Sequence, residues 1–240
     1  MSNWKAYNTS NPKSKYLLRF LSEEKLNLFL KSGSIWFPRA IDFGDPLECI
    51  TAHDLKSYGI DFKKVDSRKK KYLVSCWHEA TYESVAMWDT YSVSKEGRRR
   101  YAIRFKKDQL IQYVTSTSSS KYPNIKIDEF MHGSVRYKNM ITQSPDLSQQ
   151  NLMKRSVFRK EYAFKYEKEF RFVIRLHNEA EKGFALKIGN IDNLQFDILV
   201  NPLLPDNEYI EAKDSAPAIT YKNKVIDSRL AKWFKPHLNK

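Results

Sequence analysis

The sequence predicts a single α+β domain. Short apolar stretches of strand length recur along the chain, a few helical patterns are interspersed among them, and no repeat or linker divides the 240 residues. Residues 1–14 read as a polar N-terminal arm, and 15–240 as the domain itself.

Taken in order, Tyr16–Phe20 is a strand with one charge, Arg19. Ser22 is a good N-cap, Glu23 and Glu24 suit the first helical turn, and Leu26, Phe29 and Leu30 form the apolar stripe that Gly33 ends. Ser34–Phe37 is a strand stopped by Pro38, and Phe43–Glu48 is a turn segment around Pro46. Asp54–Lys71 reads as a polar, lysine-rich connection. Tyr72–Trp77 is a strand, Ser84–Ser92 a short helix, and Tyr101–Phe105 another strand. The hydroxyl tract Thr115–Ser120 reads as a loop within a connection reaching 128, and Val135–Lys138 as a short strand. A helix is expected over Leu152–Phe164, strands over Phe184–Ile188 and Phe196–Val200, and a last strand over Thr220–Ile226 ahead of a basic tail.

The stretch from Phe158 to Leu176, FRKEYAFKYEKEFRFVIRL, carries the chemistry. On a strand, alternate side chains share a face. Lys168, Phe170, Phe172, Ile174 and Leu176 then look one way, while Glu167, Glu169, Arg171, Val173 and Arg175 look the other. Two carboxylates and a guanidinium share a face whose reverse is apolar. The plainest reading of such a face is solvated cross-strand ion pairs.

Composition narrows the function classes. Aromatic residues make up 14% of the chain, which marks a folded protein. A net charge of +14 favours polyanionic partners. Seven glycines form neither a GxGxxG nor a Walker loop, so any phosphate is expected on Arg and Lys side chains. Cys49 and Cys76 make no CxxC pair, and the five histidines are scattered without HExxH, so no metal site is expected. No signal-peptide core or membrane span is read, and the expected location is the cytoplasm.

Four segments, LLRF at 17–20, SIWFPRAIDFGDPLE at 34–48, SCWHEATYESVAMWDTYS at 75–92 and FRKEYAFKYEKEFR at 158–171, together resemble the DUF2971 family of bacterial proteins. Gly44 stands where that pattern has Asn, Leu18 and Phe20 replace Tyr on either side of Arg19, and Phe170 replaces Trp. The order Arg19, then Ser75 with Trp88 and Tyr91, then Glu169 also resembles the ADP-ribosyltransferase fold of toxin-type transferases, and Glu167-Lys168-Glu169 their Glu-x-Glu pair. That second resemblance implies a split β-sheet core with flanking helices, NAD as co-substrate, and a toxin or phage-defence setting with an antitoxin or chaperone partner.

Within that resemblance, Glu169 would stabilise the positive charge that builds on the ribose as the nicotinamide bond breaks. Glu167 would orient the nucleophile or accept its proton. Arg171 would favour ionised Glu169, Arg19 would clamp phosphate or ribose, and Ser75, Trp88 and Tyr91 would hold the nicotinamide end. The basic residues Arg98, Arg99, Arg100, Lys154, Arg155, Arg159 and Lys160 are expected to contact single-stranded nucleic acid, RNA ahead of DNA. Two alternatives stand beside this. One is a metal-dependent nuclease using Glu167, Glu169, Lys168 or Lys160 and Asp45, and the other a non-catalytic nucleic-acid-binding module.

Overall fold

The computed structural model describes residues 4–7, 14–50, 61–94, 97–98, 100–117, 126–139, 156–215, 220–221 and 224–238. In chain order the elements are β1 (Trp4–Tyr7), β2 (Tyr16–Leu21), α1 (Glu23–Ser32), β3 (Ser34–Phe37), α2 (Phe62–Lys70), β4 (Tyr72–Ala80), α3 (Val85–Ser92), β5 (Val93–Ser94), β6 (Gly97–Arg98) and β7 (Tyr101–Lys106). There follow α4 (Lys107–Thr115), β8 (Ile127–Ser134), β9 (Arg136–Lys138), β10 (Arg159–Glu161), β11 (Glu169–Leu176), β12 (Phe184–Lys187), β13 (Asp197–Val200), α5 (Asp206–Lys213) and α6 (Arg229–Phe234). The mixed α+β class is as expected.

Two compact units share these elements, with β4 giving Tyr72–Trp77 to the first and His78–Ala80 to the second. The first unit orders its strands β1-β8-β11-β4. Strand β1 lies parallel to β8 and β11 antiparallel to it, so Phe172 faces His132 and Ile174 faces Phe130 in register. One side of this sheet packs Tyr72, Val74, Met131, Val157, Phe158 and Val173 with Ala40 and Cys49. Phe130, Phe170, Phe172 and Trp4 cluster together, Trp4 and Phe130 with ring centroids 4.8 Å apart. Both faces of β11 are therefore buried, and only Arg175 along it is even partly exposed.

The second unit orders the end of β4, then β2, β7 and β13, all antiparallel. Leu18, Phe20, Met87, Trp88, Ala102 and Leu199 fill one core, and Phe29, Phe105 and Phe196 meet edge to face or stacked in another. Helix α1 starts as expected, with the Ser22 hydroxyl accepting from the Lys25 N–H, and stops at Gly33 with φ of 60°. A Cβ at Gly33 would lie 2.1 Å from the Gly189 carbonyl oxygen, so the position tolerates only glycine.

Several expectations need correction. The supposed arm contains β1, held by pairing to β8 rather than by its own polar composition. The lysine-rich connection contains helix α2, capped by Asp61 and anchored by buried Val65 and Lys69. Where a helix was expected over Leu152–Phe164, the described part is a 3-10 turn (Ser156–Phe158), then β10, then a second 3-10 turn (Tyr162–Glu167). Parallel pairing of β10 with β9 overrides the helical pattern there. β8 begins at Ile127, inside the expected 115–128 connection, and over 220–226 the described residues give only an isolated bridge, Val225 to Ile198.

At Gly133 an added Cβ would come within 1.6 Å of the Tyr7 carbonyl oxygen. Gly133→Ala should force β1 off β8 and lower stability by about 1–3 kcal/mol. Urea unfolding checks this; unchanged stability would contradict the pairing.

Candidate functional site

Lysine 168 sets up the site. Its φ of 43° is a left-handed conformation rare for a residue with a side chain, and it ends the 3-10 turn and starts β11. Glu167 and Glu169 flank this kink, both buried, while Lys168 itself points to solvent. The two carboxyls therefore meet, as expected, but across a left-handed kink and not through strand alternation.

Five charged side chains gather in the first unit, each less than a tenth exposed: Glu48, Lys160, Glu167, Glu169 and Arg171. Arg171 extends from β11 and donates Nε to Glu169 Oε2 (2.6 Å) and Nη1 to the Val157 carbonyl (2.6 Å). Its two terminal nitrogens both donate to Glu48, one of them at 3.2 Å. Lys160, from β10, donates its ammonium to Glu169 Oε1 (2.8 Å) and to Glu167. The ammonium also lies over the Phe164 ring, 4.5 Å from its centroid. Tyr137 on β9 closes the site, its hydroxyl accepting the Glu169 backbone N–H at 2.7 Å.

Three carboxyl groups here face two cations, so neutrality leaves one proton on a carboxyl. Glu167 holds it. Burial, and then the neighbouring Glu169, push its carboxyl up to about 8, and Lys160 only partly offsets that. Glu169 goes the other way. Burial opposes its charge, but Arg171, a hydrogen bond from Glu167 and Lys160 hold it well below the usual carboxylate range. Burial also raises Glu48 against the pull of Arg171, and keeps the neighbouring Cys76 thiol protonated. The environment thus drives the protonation of these two adjacent acids in opposite directions. Removing one member of so buried a set leaves a charge uncompensated, at a cost of about 3–5 kcal/mol.

The face read as solvated is thus interior. Lys160, expected on a basic surface, is a buried counter-ion, because β10 carries it inward against two carboxylates. Glu48 was missed as a partner of Arg171; its turn, closed by Glu48 N–H to Asp45 O (3.2 Å), is followed by left-handed Cys49 at φ 59°. No pattern in sequence links positions 48 and 171. Among the described residues no group of three acidic, His or Cys side chains is arranged to hold a metal.

Other expected site residues lie elsewhere. Ser75 is fully buried in the first unit and accepts from Trp77 Nε1 at 3.0 Å. Arg19, Trp88 and Tyr91 belong to the second unit. Trp88 is core: it packs edge to face on Phe20 at 4.7 Å and donates Nε1 to Glu83. Tyr91 stacks on the same Phe20 ring at 6.0 Å, so the ring these two flank is the protein's own. Arg100 is paired with Glu211 at 2.9 Å, and Arg159 is partly buried at the start of β10. Arg99, Lys154 and Arg155 lie outside the described residues, as does the side chain of Arg98.

The site is therefore a buried, charge-matched carboxylate cluster at the start of a central strand in a mixed α+β chain. Residues 87–172 match the family model described as protein of unknown function (DUF2971), which bears out the family resemblance read from the motifs. The match includes Lys160, Glu167, Glu169 and Arg171, and leaves Glu48 outside. No curated protein and no solved structure matches the chain.

The raised carboxyl of Glu167 has a measurable sign. Between about pH 4.5 and 8 the folded chain keeps a proton that the unfolded chain releases, so this group's stabilisation is full below 4.5 and is lost as pH approaches 8. Relative to wild type, Glu167→Gln should therefore flatten the decline of stability across that window. Denaturant unfolding from pH 5 to 8 checks this; parallel pH profiles would contradict it.

Proposed function

We propose that the chain is an NAD-dependent ADP-ribosyltransferase acting on single-stranded nucleic acid, RNA ahead of DNA, in the manner of a toxin or phage-defence effector restrained by a partner protein. One observation carries the reading: Glu169, held by Arg171 and Lys160, opens a central strand directly beside a second buried carboxyl, Glu167. The donor set suits the ribose end of a dinucleotide, because a fixed carboxylate can accept a ribose hydroxyl and face developing positive charge. It does not suit the pyrophosphate, since both cations of the cluster are already matched by carboxylates.

NAD would supply the ADP-ribosyl group and nicotinamide as the leaving group. Glu169 is the group that meets the ribose. Both of its oxygens are engaged, one by Arg171 and one by Lys160, so a ribose hydroxyl must displace one of them. Lys160 is the one able to yield: Arg171 is held by Glu48, Glu169 and the Val157 carbonyl, whereas the lysine ammonium sits on a flexible stem and keeps Glu167. Glu167 accepts the nucleophile's proton only in its ionised form, so transfer should rise with pH toward about 8.

A second reading, a metal-dependent nuclease, is favoured by one contact. Lys160 bridges Glu167 and Glu169, supplying beside two acids the lysine that Lys168, turned outward, does not.

Labelled NAD incubated with single-stranded RNA, DNA or protein separates these readings. Label should pass to RNA with wild type and fall at least about 100-fold with Glu169→Gln. Untouched NAD together with Mg²⁺-dependent shortening of the RNA would overturn the transferase in favour of the nuclease.

A further inference from the structure

The second unit carries an exposed surface in which cations and aromatic rings alternate. Helix α6 is fixed by its inner side: Ser228 caps it by accepting from the Ala231 N–H at 2.9 Å, Ala231 is fully buried, and Leu230 packs against the Phe20 core. Lys235 and His237 tie the following turn to Asp206 on α5. The outer side is left with Arg229, Lys232, Trp233 and Phe234, all exposed. Trp233 is 75% exposed and Phe234 46%, unusual for rings on a helix this firmly seated.

Arg229 and Trp233 are four residues apart and so share a helix face. Arg229 in turn lies over the ring of Tyr82, 4.8 Å from its centroid, and Tyr82 is itself 65% exposed. Ring, guanidinium and indole thus occupy one outward surface. From Ser228 to Lys240 the chain holds Arg229, Lys232, Lys235 and Lys240 without a single Asp or Glu.

We infer that Tyr82, Arg229, Lys232 and Trp233 form a docking surface for single-stranded nucleic acid. Exposed rings and a flat guanidinium accept stacked bases, while Arg and Lys N–H groups take the phosphates between them. Charge complementarity selects this occupant in a chain of net charge +14. A membrane surface fits less well, because interfacial helices bury a broad apolar face in lipid, whereas this one exposes only the rings of Trp233 and Phe234 and turns Leu230 and Ala231 into the protein. The surface lies outside residues 87–172, so it is an addition to the segment that matches the family. It names where the acceptor of the proposed transferase is held, and rests on that reading for its purpose.

Fluorescence anisotropy with a labelled single-stranded RNA of mixed sequence tests the surface without NAD. The full chain should bind the single strand more tightly than the same sequence as a duplex. Trp233→Ala should weaken binding about 5- to 100-fold. Arg229→Glu with Lys232→Glu should weaken it at least as much and flatten its salt dependence. Lys31→Glu, a single charge reversal on the exposed side of α1, should leave affinity within about twofold, with thermal melts showing all variants folded. Unchanged affinity in Trp233→Ala and in the charge reversal would overturn the inference. So would equal weakening by Lys31→Glu, or loss of binding to anionic vesicles with RNA affinity intact. Because Glu169→Gln leaves this surface untouched, failed RNA binding alongside Glu169-dependent transfer would reject the surface and spare the transferase.

Discussion

Arg171 is the side chain on which the first unit is organised. Its guanidinium is fully buried, and each of its three nitrogens has a partner: Glu169 beside it on the chain, the Val157 carbonyl, and Glu48 from the turn after β3. A guanidinium stays charged at any accessible pH, so its burial requires those partners. Lys160 extends the same demand to β10 and to Glu167. Segments far apart in the chain are thereby held by one charge balance, and the balance in turn forces a proton onto Glu167.

That arrangement is an expensive way to build a core. Buried ion pairs are often matched in stability by well-packed apolar residues. Here two left-handed residues that are not glycine, Cys49 and Lys168, immediately follow Glu48 and Glu167. Strained backbone and buried charge concentrated at one place are typical of sites kept for chemistry. The second unit offers a contrast, since it also buries a Lys107–Glu79 pair but has no left-handed non-glycine residue among its described residues.

Much of this was legible in sequence because it rests on local rules. Ser22 and Gly33 bounded α1 correctly, the strand at Tyr16 was found from its apolar run, and β11 was found from alternation. The pairing of Glu167 with Glu169 was anticipated for an imperfect reason, since the kink at Lys168 does what strand periodicity was expected to do. What stayed hidden was long-range. Alternation says which residues share a face but not whether that face is wet, and β11 turned out to be buried on both sides. Glu48 could not be matched with Arg171 without the fold. Nor could Trp4–Tyr7 be recognised as a strand, because its partner lies more than a hundred residues away. Trp88 and Tyr91 were grouped correctly, but the ring between them is Phe20.

The proton on Glu167 is the most direct consequence of the cluster, and its titration tests the account at its root. Carbon-detected NMR of glutamate carboxyls, with Glu167→Gln to assign the signal, would follow it. A midpoint near 8, with Glu169 already ionised at the lowest pH at which the chain stays folded, is the expected result. A midpoint near the ordinary 4.5 would mean that the carboxyls are not driven apart, and the charge balance that forces a proton onto Glu167 would not exist.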